Sequence, residues 1–163
     1  MATVAEVHLA MVRHLGSDLE IITHMFSVHG FVMALAASEG VQEEQLLSLE
    51  IAALTHCIGV KDCRSKYHIL TRKALEMEGS HLARELLQKL GFSEAVGERV
   101  CFLIAHHMTY TDIQSLDHQI FVEAFFLATA REKDWTKEKV QAFCERVFTT
   151  KLGCELLKKL YNL

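Results

Sequence analysis

Ala53-Leu-Thr-His-Cys-Ile-Gly59 ends the most apolar run of the chain, and its reading decides the fold. Just upstream, Leu49, Ile51, Ala52, Ala53 and Leu54 put apolar side chains on every side of a helix, the mark of a central helix. That helix is predicted from about Gln42 to Cys57. It opens with Glu43 and Glu44 at the positive end of its dipole and stops at Gly59. Neighbours in mid-helix point about 100° apart, so His56 and Cys57 could share a ligand only where the helix frays. Read locally, Thr55-His56-Cys57 is a helix end; the apolar run before it makes that end a buried one.

The rest of the chain reads at helical period as well. Ser17 and Glu20 form a capping-box pattern that predicts a helix over 18–38, ended by Gly40. Ile21, His24, Val28, Phe31 and Leu35 share one stripe of it, with His24 the only polar member. Alone, His24 reads as a buried neutral histidine bonded to a backbone carbonyl. Residues 60–66 are polar and read as a loop. A helical stretch then reaches Met77, Gly79 marks a break, and a helix over 80–90 closes at Gly91. Phe92-Ser93 opens a helix to His107, and Thr111 with Gln114 predicts a cap for one reaching about Arg131. Two shorter helices, near 136–148 and 150–161, complete a single all-α domain of seven to eight helices over 1–163.

Composition agrees. Half of the 163 residues are apolar, 23% are charged, and there is no proline, which excludes disorder and an all-β sandwich or barrel. The net charge of −4 with scattered Lys and Arg gives no nucleic-acid footprint. Five cysteines without a C-x-x-C pair predict free thiols in a reducing cytoplasm, with Cys101, Cys144 and Cys154 as core residues. Glu6, His8, Arg13 and His14 interrupt the N-terminal stretch, which reads as neither a signal peptide nor a membrane span. Ten histidines are an excess. His8, His14, His68 and His118 have surface-like settings, His29 reads as packing, and His81 lies beside the Gly79 break. His106-His107 sits where a helix dipole favours a positive ring.

With these pieces in order, residues 18–130 resemble the HD superfamily of metal-dependent phosphohydrolases, leaving 131–163 as a helical extension. The resemblance rests on His24-Met-Phe-Ser-Val28 and, 32 residues after His24, His56 within Ala53–Gly59. It continues through Glu78-Gly-Ser-His-Leu-Ala-Arg-Glu-Leu-Leu87, then Glu98-Arg-Val-Cys-Phe-Leu-Ile-Ala-His-His107, and Gln119-Ile-Phe-Val-Glu-Ala-Phe-Phe-Leu127. It implies a site in which two imidazoles, an adjoining aspartate and a distant aspartate hold a metal ion. His24 and His56 match the imidazoles. Cys57 stands where the first aspartate belongs and Phe125 where the last belongs. Val60 and Leu75 stand where such proteins often carry a lysine and a further histidine.

Aspartate supplies a hard anionic oxygen suited to Mg²⁺ or Mn²⁺; cysteine is a soft ligand suited to zinc, and phenylalanine is no ligand. The resemblance with these departures implies an impaired phosphohydrolase homologue serving as a binding or regulatory module. Its expected ligand is a phosphorylated small molecule or nucleotide, held by His107, Lys61 and Arg64. The alternative is an active hydrolase holding Zn²⁺ or Fe²⁺ on His24, His56 and Cys57. A third reading is a structural interaction protein whose pocket is filled by Phe125 and its neighbours, with exposed apolar residues among Phe121, Phe125 and Phe126 favouring a homodimer; no membrane partner is expected.

Overall fold

The computed structural model describes residues 2–163, which form eight helices with no strand among the described residues. They are α1 (Val4–Leu15), α2 (Leu19–Glu39), α3 (Glu43–Thr55), α4 (Arg72–Leu90), α5 (Glu94–His106), α6 (Leu116–Glu132), α7 (Lys137–Val147) and α8 (Lys151–Tyr161). Helix α3 is the axis, packed against α1, α2, α5 and α6. Leu49, Ile51, Ala52, Ala53 and Leu54 are wholly buried, as an all-round apolar helix requires. Helix α6 is buried continuously from Asp117 to Ala130. Helix α2 is long and apolar enough to cross a membrane by length and composition, but Met25, Val28, Val32 and Leu35 are buried in the core it shares with α3 and α6.

Some ends lie where local signals place them. Gly40 and Gly91 take left-handed backbone (φ 65° and 83°) and cap α2 and α4. Others move. Asp18, not Ser17, caps α2, because its carboxylate accepts from the Ile21 N–H. Residues 60–66 are not a loop: Val60–Asp62 is a helical turn running into a π turn, Cys63–Tyr67. Thr111 starts no helix. Helix α6 begins after Ser115, where the Arg99 guanidinium donates to both Asp117 oxygens (2.6 and 2.7 Å) and to Ser115 Oγ (2.7 Å).

Neither Gly59 nor Gly79 breaks a helix by its backbone. Gly59 has an ordinary φ of −77°, and Gly79 lies within the continuous helix α4. A Cβ on Gly59 would stand 2.7 Å from Gly79 N, and one on Gly79 would stand 3.3 Å from His56 O. The two glycines let α4 pack directly on the end of α3, and so position His56.

Candidate functional site

Two helix ends and two helix faces converge on a cavity of about 280 Å³. Helix α2 contributes His24. The end of α3 contributes His56 and Cys57, the end of α5 contributes His107, and α6 contributes Phe125, Thr129 and Glu132. His24 Nε2 lies 3.0 Å from His56 Nε2. Behind them, Nδ1 of His56 donates to the Ala53 carbonyl (2.8 Å), and Nδ1 of His107 donates to the Ile104 carbonyl (2.6 Å). Nδ1 of His24 faces the Glu132 carboxylate at 2.8 and 3.0 Å.

Burial dominates the electrostatics. It pushes His56 well below the usual imidazole range, and its neighbours His24 and His107 push the same way. Burial also lowers His107 to about 4, against the opposing pull of its bond to Ile104. Burial pushes the Cys57 thiol up to about 12. Phe125 packs edge-on against His24, His56 and His107, with ring centroids 5.6, 5.8 and 4.6 Å away.

This donor set does not fit the ion that the resemblance implies. No group of three His, Cys, Asp or Glu side chains among the described residues is arranged to hold a metal ion. Two imidazoles do meet at the spacing of ligands on one ion, about 3 Å for Zn–N bonds of roughly 2.0–2.1 Å. Yet Phe125 offers a ring where a further ligand would be needed, and the Glu132 carboxylate engages the far side of His24.

The expected residues divide. His24, His56, Cys57 and His107 line one cavity. Arg64 reaches the same cavity but is tied to Asp18 at 3.0 Å. Lys61 does not reach it: its Nζ donates to the His14 carbonyl, and it lines a neighbouring cleft with Ser17, Asp18 and Arg64. His24 is no buried, carbonyl-bonded histidine, since its partners are Glu132 and His56. Phe121, Phe125 and Phe126 all turn inwards and form no dimer face. His118 is buried, not surface-like, with Nε2 near the His106 carbonyl and Nδ1 without a partner.

Two residues escaped the sequence reading. Glu132 and Thr129 follow Phe125 by seven and four positions, on the same face of α6. That spacing was legible once Phe125 was assigned to the site.

Neither a protein-family model nor a curated protein matches the chain. Among solved structures, a predicted HD superfamily hydrolase from an uncultured Thermotogales bacterium superposes with a TM-score of 0.69. The pair share 23% identity over 97% of this chain and 84% of the other. The fold is thus the HD-domain fold.

Proposed function

We propose that this HD-fold chain is a catalytically impaired phosphohydrolase homologue whose histidine cavity serves as a binding module for a phosphorylated small molecule or nucleotide. The observation that carries the reading is Phe125, whose ring packs against all three cavity imidazoles; the resemblance expects the last aspartate at this position. Cys57 supports it, because a buried thiol raised to about 12 offers no base for water at neutral pH. The cavity itself is retained, with apolar walls and two cations, Arg64 and Lys133, among its lining. Buried free thiols at Cys57, Cys63, Cys101 and Cys144 fit a reducing compartment such as the cytoplasm.

Elemental analysis of the purified protein, paired with turnover of a phosphodiester and a nucleotide panel, tests this. The expected result is no stoichiometric metal and no turnover, with metal binding gained in the Cys57→Asp/Phe125→Asp double variant. Stoichiometric metal with turnover abolished by His56→Ala would sink it in favour of an active enzyme.

A further inference from the structure

We propose that the outward apolar face of α2 pairs with itself: two copies of this chain dock with their α2 helices antiparallel, about a two-fold axis at Gly30. This face lies outside the histidine cavity.

Only 33% of the most apolar stretch of α2 is buried. Leu19, Thr23, Phe26, Gly30, Ala34 and Ala37 are all exposed, and at about 100° per residue they lie within roughly 40° of one line along the helix. None is charged. The two acids of α2, Glu20 and Glu39, stand about 80° and 180° from that line. Beside it, His8 of α1 stacks on Phe26 with ring centroids 5.6 Å apart, and Leu9 and Val12 of α1 are exposed as well. Gly30 is the odd residue. A glycine in mid-helix costs stability relative to alanine, yet an added Cβ there would meet nothing within 4 Å and the backbone is not left-handed. Nothing within the chain calls for it, whereas a second helix crossing closely at that point does.

A two-fold axis at Gly30 sets each residue before it against the one equally far after it in the partner. Phe26 then meets Ala34, and Thr23 meets Ala37, so each larger side chain faces a methyl group. The antiparallel crossing also places the positive end of each helix dipole beside the negative end of the other, and it buries no charge. A lipid surface fits less well, because α2 has no Lys or Arg to hold anionic headgroups. Leu19 to Ala37 spans about 27 Å and α1 about 18 Å; at a helix width of about 10 Å the pair covers roughly 900 Å² in all. That is just under the roughly 1,000 Å² of a firm interface, so the dimer is weak and forms at about tens of micromolar. His24 stands about 120° from the pairing line, which leaves its side of α2 free.

Sedimentation equilibrium of the full chain from about 1 to 500 µM tests this, with melting temperatures taken at the dilute end. A monomer–dimer equilibrium is expected. Gly30→Leu should weaken it at least about tenfold without lowering the melting temperature, since the space around Gly30 is open. Ala34→Phe sets two rings against each other and should weaken it about tenfold, while Phe26→Ala/Ala34→Phe exchanges the pair across the axis and should restore it to within about threefold. A monomer at every concentration overturns the proposal, and so does a dimer indifferent to Gly30→Leu. A double variant no stronger than Ala34→Phe alone overturns the two-fold pairing. A monomer that co-sediments with phosphatidylcholine–phosphatidylglycerol vesicles assigns the face to a lipid surface and overturns it too.

Discussion

The Glu132 carboxylate stands 2.8 Å from Nδ1 of His24, across 108 positions of chain, and directs Nε2 of that ring towards His56. Such a carboxylate–imidazole contact sets the orientation of a ring wherever it occurs. Here it comes from the last turn of α6, two turns beyond Phe125. The position expected to hold a metal-binding aspartate carries a ring, and an acid further along the same face holds one of the histidines instead.

Glu132→Gln should therefore change the His24 ring more than the stability of the fold. Glu132 is 42% exposed, so the expected loss is no more than about 1 kcal/mol. The His24 imidazole proton and nitrogen resonances should shift while the melting temperature stays nearly constant. A large stability loss would mean that the pair is structural.

Gly59→Ala is expected to be destabilising by about 1–3 kcal/mol, because its Cβ would meet the backbone of Gly79, which cannot rotate away. Gly30→Ala is the control. It lies within α2 with nothing within 4 Å of an added Cβ and should gain up to about 1 kcal/mol. Urea denaturation of the two variants gives both signs.

The buried histidines make stability fall in acid. His107 titrates at about 4 in the fold, below the 6.5 of an ordinary imidazole, so between those values the unfolded chain binds more protons than the folded one. Its contribution is complete above pH 6.5 and is lost as pH falls towards 4, and His56 acts in the same direction. A shift of this size corresponds to a loss on the order of 3 kcal/mol for His107. Unfolding free energies across pH 7 to 4 should show the slope, and His107→Leu should reduce it.

Glu123 should be the most sensitive carboxylate outside the cavity. It is wholly buried and accepts from Gln119 Nε2 (2.7 Å), Thr149 N (2.7 Å), Thr150 N (3.0 Å) and Thr150 Oγ1 (2.5 Å), holding the start of α8 to α6. Glu123→Ala strands these donors at about 1–3 kcal/mol for each buried group, so a total loss of roughly 3 kcal/mol or more is expected. Hydrogen exchange should rise over residues 149–163 before the rest of the fold loosens. Uniform protection across the chain would refute this role.

What the sequence alone determined is what one helical turn can encode. The all-round apolar stretch of α3, the Ser93 cap of α5, the stops at Gly40 and Gly91, and the 32-residue step from His24 to His56 were all legible, because caps, dipoles and periodicity act within a few residues. Gly59 and Gly79 show where that reading fails. A glycine that permits a turn and one that admits a neighbouring backbone look the same in sequence, and only the contact between them decides. Likewise, the inward turn of His118, the departure of Lys61 to another cleft and the arrival of Glu132 at His24 were settled by packing between distant segments. Local chemistry chose the helices. The approach of side chains 32 and 108 positions apart made the site, and no local signal carries that distance.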